Sequence, residues 1–117
     1  MLEKKGSVGF RYALKGLQIA WTEERNFRIE LALATLALAL SFFLDISTTE
    51  WLIVLVLIGL VLSAEMLNTS LEEFCDMVKG DPDPHIAKIK DLAAAGVLVA
   101  SSTALVAGLI IFVPKIF

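Results

Sequence analysis

Three apolar runs constrain this chain more than any other feature. Leu31–Leu44 reads LALATLALALSFFL, Trp51–Ala64 reads WLIVLVLIGLVLSA, and Leu92–Pro114 runs 23 residues without a charged side chain. About 20 apolar residues cross a hydrocarbon core, so the third run is long enough by itself. The first two, 14 residues each, have a length that also suits a buried core helix. Their flanks decide the matter. Phe27, Ile29 and Ile46 extend the first, and Met66, Leu67 and Leu71 extend the second. Composition points the same way: 57% of the 117 residues are hydrophobic and the mean hydropathy is +0.78. Ordinary globular domains carry roughly 45–50% apolar residues, and a chain this small has too much surface to hide the excess internally. The expected fold class is therefore all-α integral membrane, one domain over 1–117, with spans at about 29–46, 51–71 and 92–113.

Charge sets the expected orientation. Six Lys or Arg residues precede the first run, and Lys79, Lys88 and Lys90 lie between the second and third. Asp45–Glu50, between the first two, holds none, although Lys115 near the C-terminus runs against the pattern. By the positive-inside rule the N-terminus and the second connection are expected to be cytoplasmic, in a multi-pass membrane protein. Trp51 then suits an outer interfacial anchor. No cleavable leader is visible in the first thirty residues, so the spans themselves are expected to direct insertion. Upstream, Phe10, Ala13, Leu14, Leu17 and Trp21 recur at helical spacing opposite Arg11, Lys15 and Gln18. That pattern predicts an amphipathic helix over about 7–25 lying in the inner interface. Asp81-Pro82-Asp83-Pro84 marks a break before the third span. A net charge of -3 without a clustered basic face excludes nucleic acid as a partner. A single cysteine, Cys75, excludes an intrachain disulfide and reads as a packed small hydrophobe.

The chemistry-bearing stretch is Glu65–Asp76, EMLNTSLEEFCD. At 100° per residue Glu65, Asn68, Glu72 and Asp76 fall within about 80° on one helix face. A solvated helix extension would account for such a stripe by spacing alone. Glu65, however, directly follows the apolar run, where a carboxylate is usually paired, protonated or functional. Like charges on one stripe repel unless a cation intervenes, and magnesium takes one or two carboxylates plus substrate phosphates. A second set, Glu23, Glu24, Arg28 and Glu30, opens the first span, with a local Glu24–Arg28 ion pair as the simpler reading. A third set, Lys88, Lys90 and Asp91, opens the third span, where lysines are commonplace. Soluble phosphate-binding and hydrolase motifs are missing: there is no GxxxxGK[ST], HRD, DFG or HExxH.

Glu65–Asp76, followed by KDLAAAGVL (Lys90–Leu98) and preceded by FRYALKGL (Phe10–Leu17) and WTEERNFRIE (Trp21–Glu30), resembles the prokaryotic diacylglycerol kinase family, which includes undecaprenol kinases. The resemblance covers nearly the whole chain and rests on an ExxNxxxExxxD core with a downstream KD. It implies a homotrimer with three spans and an interfacial helix per chain, and active sites at the cytoplasmic membrane surface between neighbouring chains. By position it implies Glu65 as catalytic base toward the lipid hydroxyl, and Glu24 and Glu72 as carboxylates for Mg2+. Tyr12, Asn68, Glu72, Asp81, Asp83, Lys90 and Asp91 fall at nucleotide-binding positions, Asn68 orienting the constellation and Lys90 meeting phosphate. Trp21, Asn26, Arg28 and Glu30, with Glu65, fall at the lipid substrate's positions. An aromatic-His-Pro element usual before the third span is replaced here by DPDPH, and His85 receives no role.

The implied reaction is Mg2+- and ATP-dependent phosphorylation of a membrane lipid alcohol. Phosphoryl transfer asks mainly for positioning, charge neutralisation and an acceptor for the nucleophile's proton. The N-terminal and KDLAAAG stretches look more like the undecaprenol branch than the diacylglycerol branch. The competing classes are a non-catalytic assembly protein, which would lack part of the set Glu24, Glu65, Asn68, Glu72, Lys90 and Asp91, and an ion-conducting oligomer, which would place acids mid-bilayer.

Overall fold

The computed structural model describes residues 7–78 and 83–117 as four helices: α1 (Ser7–Glu23), α2 (Arg25–Phe43), α3 (Thr48–Val78) and α4 (Pro84–Ile116). No strand occurs among the described residues. α2, α3 and α4 are each long and apolar enough to cross a membrane. At 1.5 Å per residue the 31 residues of α3 run about 46 Å, some 16 Å more than a hydrocarbon core about 30 Å thick. Counted from Thr48, about 20 residues fill that core. Glu65 and Asn68 therefore lie at its far edge, and Glu72 and Asp76 beyond it.

α1 and α2 are separated by one residue. Glu24 takes an extended conformation (φ −114°, ψ 108°), yet its N–H still donates to the Ala20 carbonyl at 2.9 Å. The direction of the chain changes with little loss of backbone pairing. Arg28 secures the bend by donating from Nη1 to the Trp21 carbonyl at 2.6 Å, satisfying an acceptor that the end of α1 leaves open. No Glu24–Arg28 ion pair forms among the described residues, because the guanidinium is engaged on backbone instead.

The opposite end is closed by a tight turn. Ile46 N–H donates to Ser41 O and Asp45 N–H to Phe42 O, both at 3.3 Å, with Asp45 left-handed at φ 53°. This pairing ends α2 in a Schellman arrangement. Ser47 and Glu50 then cap α3 reciprocally: Ser47 N–H donates to Glu50 Oε1 (2.9 Å) and Glu50 N–H to Ser47 Oγ (3.1 Å). Lys115 Nζ reaches Glu50 Oε1 at 3.5 Å, tying the end of α4 to the start of α3. The lysine that ran against the charge pattern thus has a carboxylate partner at that end. Ile46, Val54 and Ile111 form the buried cluster beneath the turn, with Trp51 half-buried against it as a packing residue.

Asp45 leads to a stability prediction. A left-handed L-residue carries about 1–2 kcal/mol of strain, whereas glycine's extra unfolded-state entropy costs about 0.5–1 kcal/mol. Asp45→Gly is expected to stabilise the fold by about 0.5 kcal/mol, the difference between those terms, read as a raised thermal midpoint in micelles.

Outside that cluster little is covered. Only about a tenth of each span is fully buried (11%), so much of the apolar surface of the three helices faces outward. A Cβ added at Gly59 or Gly96 meets open space, so neither glycine serves a close approach within the chain.

Candidate active site

The acidic stripe on α3 lies at the end where α1 meets α2. Along it exposure rises in steps: Glu65 is 3% exposed, Asn68 and Glu72 are half-buried, and Asp76 is open. Helix α3 alone would not cover Glu65 so completely; the bend at Glu24 and the first turns of α2 close over it. Glu24 and Glu72 both lie near enough to Glu65 to act on its charge, and Glu30 is close to it in the same sense. Glu24, Glu30 and Glu72 thus each lie within electrostatic reach of Glu65. Such a cluster repels itself unless cations or protons intervene.

Three oxygens at this place have no hydrogen-bond partner. Glu30 Oε1, Asn68 Oδ1 and Thr69 Oγ1 are buried and unpaired. A buried polar atom left unpaired costs about 1–3 kcal/mol, so three together point to a site that a ligand completes. α4 contributes Lys90, whose Nζ meets Asp76 Oδ1 at 3.2 Å and lies within electrostatic reach of Glu72. A cation is thereby held at the open end of the stripe. Along the spans, α2, α3 and α4 enclose an apolar groove of about 460 Å³ in which Glu30 is the only charged lining residue.

A family model for prokaryotic diacylglycerol kinase matches residues 11–112. The chain belongs to the prokaryotic diacylglycerol kinase family. It is a lipid kinase, and a nucleotide is its co-substrate. Similar proteins include undecaprenol kinase of Bacillus subtilis, 36% identical over 92% of this chain and 87% of the relative. Diacylglycerol kinase of Synechocystis is 33% identical over 93% of this chain and 63% of the relative. Diacylglycerol kinase of Escherichia coli K12 is 30% identical over 81% and 78%. With three apolar helices and this family, the kinase is a multi-pass membrane protein.

The residues expected from sequence meet different fates in the kinase. Glu24, Glu30, Glu65, Asn68 and Glu72 gather at the bend, and Lys90 stands at the edge of the cluster through Asp76. Tyr12, Trp21, Asn26 and Asp91 are exposed on the surface of the single chain. Arg28 acts on the backbone of α1, which makes it a determinant of the bend. Asp83 is exposed and its Oδ1 accepts from His85 N–H at 2.8 Å, capping α4 ahead of Pro84 at its first turn. Asp81 lies outside the described residues. Asp76 received no role from sequence reasoning, although its place on the stripe and the lysine at the start of α4 were both legible; their meeting needed the packing of α3 on α4.

The donor set suits a hard divalent ion. No three His, Cys, Asp or Glu side chains among the described residues form a self-sufficient metal cage. Mg2+ does not require one, since it usually keeps waters and takes its remaining oxygens from phosphates. Glu24, Glu30 and Glu72, each within electrostatic reach of Glu65, are carboxylates that could hold such an ion.

Proposed function

We propose that the kinase transfers the γ-phosphoryl group of ATP to the hydroxyl of undecaprenol at the cytoplasmic face of the bacterial inner membrane. The observation that carries this reading is the buried Glu65 carboxylate, within electrostatic reach of Glu24, Glu30 and Glu72 at the membrane edge of α3. Glu24 and Glu72 would hold Mg2+, which when bound neutralises phosphate charge. Glu65 would accept the proton of the lipid hydroxyl, and Lys90 would meet phosphate with Asn68 and Asp91 nearby in the nucleotide site. Tyr12 and Asp83 belong to that nucleotide site by family position, as does Asp81. Trp21, Asn26, Arg28 and Glu30 would line the lipid's approach. An apolar groove with one carboxylate at its end suits a substrate with an apolar tail and a single polar head.

We further infer a homotrimer whose sites are completed by neighbouring chains. The exposed surfaces of Tyr12 and Asp91 support it, as do the uncovered α3 residues Leu67, Phe74 and Met77, the last two past the hydrocarbon edge. The N-terminus is cytoplasmic in this arrangement, with α1 in the inner interface and its Lys and Arg toward anionic headgroups.

Undecaprenol is preferred because the Bacillus relative aligns over 92% of the chain at 36% identity. The Synechocystis and Escherichia relatives favour diacylglycerol as the second reading. Purified protein in lipid micelles, given ATP, Mg2+ and both lipids side by side, distinguishes them. Labelled phosphate is expected on undecaprenol; label on diacylglycerol alone selects the second substrate. No label on either, from folded oligomeric protein, overturns the assignment of substrate class.

A further inference from the structure

Threonine hydroxyls inside helices ordinarily bond to the carbonyl of the preceding turn. Those in this kinase do so, with one exception. Thr22 donates to Ile19 O (3.2 Å), Thr35 to Leu31 O (2.9 Å) and Thr103 to Val99 O (2.8 Å). Thr48 and Thr49 open α3 and have no preceding turn to bond to. Thr69, mid-helix, has Glu65 as its residue four back and does not bond that carbonyl. Its Oγ1 is buried without a partner instead. Thr69 sits about 40° from Glu65 around the helix, one turn further on. The hydroxyl lies beside the Glu65 carboxylate, just short of closed hydrogen-bond geometry.

A hydroxyl that forgoes the local carbonyl and is shielded from water is held for another acceptor. No side chain other than Thr69 is in a position to donate to the buried Glu65 carboxylate among the described residues, and the neighbouring Glu24, Glu30 and Glu72 offer no donor when ionised. Thr69 supplies the missing O–H.

We propose that Thr69 is a positioning residue for Glu65. Its hydroxyl donates to one carboxylate oxygen when substrate closes the site, turning the other oxygen toward the lipid hydroxyl. This rests on the reading of Glu65 as proton acceptor. Thr69 does not touch the transferred group. It fixes which lone pair of Glu65 meets the nucleophile, and geometry of that kind is worth up to about 100-fold in rate.

The test compares Thr69→Val, which keeps shape and removes the donor, with Thr69→Ser, which keeps the donor and removes a methyl group. Wild type and Glu65→Gln are assayed beside them with ATP, Mg2+ and the lipid alcohol that wild type accepts. Thr69→Val is expected to lose roughly 10- to 100-fold in kcat with the KM for ATP unchanged, and Thr69→Ser to stay within about threefold of wild type. Equal activity of Thr69→Val and wild type overturns the proposal. So does equal loss in both variants with a lowered thermal midpoint, which marks a packing role, and so does a raised KM for ATP at unchanged kcat, which assigns the hydroxyl to nucleotide. Should Thr69→Val fail to fold, Thr69→Ala against Thr69→Ser gives the same comparison. Failure of the underlying reading is separate: there Glu65→Gln remains active.

Discussion

Glu65→Gln is expected to lower kcat for phosphoryl transfer by roughly 100- to 10,000-fold, the range that a positioned general base contributes. The substitution preserves volume and leaves Glu24 and Glu72 in place, so affinity for Mg2+ and ATP should be retained. Nucleotide binding measured by calorimetry, beside single-turnover transfer to lipid, separates the two effects. The same substitution should make the metal-free protein more heat-resistant. Glu65 is buried among three other carboxylates, and replacing it with a neutral isostere removes both the desolvation of a charge and its repulsion by Glu24, Glu30 and Glu72. An inactive variant with a raised thermal midpoint is the expected pair of results, as at sites where function is kept at some cost to stability. Retained activity would remove Glu65 from the chemistry.

Glu72→Gln should fail differently. If Glu72 holds the metal, its loss weakens the site for Mg2+, so the concentration for half-maximal activity rises. Loss of even an outer-shell partner costs roughly 10- to 100-fold at metal sites, and a direct ligand should cost at least that. Raising Mg2+ should restore part of the lost rate, whereas no concentration should rescue Glu65→Gln. A magnesium titration of both variants is the measurement. An unshifted curve for Glu72→Gln would assign that carboxylate to another task, such as holding Lys90, which already lies within its electrostatic reach.

Thr69 marks a limit of reading by spacing. The stripe of Glu65, Asn68, Glu72 and Asp76 was legible because a helix repeats every 3.6 residues and side chains on one face can be named from the sequence. Thr69 lies near that face too, but a threonine in a helix ordinarily turns its hydroxyl back onto the chain. Only the comparison with Thr22, Thr35 and Thr103 identifies it as different.

Arg28 and Asp83 carry the same lesson. The resemblance implies Arg28 at the lipid and Asp83 at the nucleotide. In the folded chain Arg28 closes the end of α1 on the Trp21 carbonyl, and Asp83 caps α4. Local backbone groups compete for such side chains, and family position alone is silent about which acceptor wins.

By itself the sequence determined the all-α membrane class, the three apolar helices and the family, because hydropathy, helical period and an ExxNxxxExxxD motif are properties of short stretches. The tertiary structure decided which groups meet. Glu24 joins Glu65 only because the chain bends at one extended residue between α1 and α2, and Lys90 finds Asp76 only because α4 returns along α3. Those meetings depend on distances between segments far apart in the chain, set by packing and by the burial of polar groups, and no local pattern of residues encodes them.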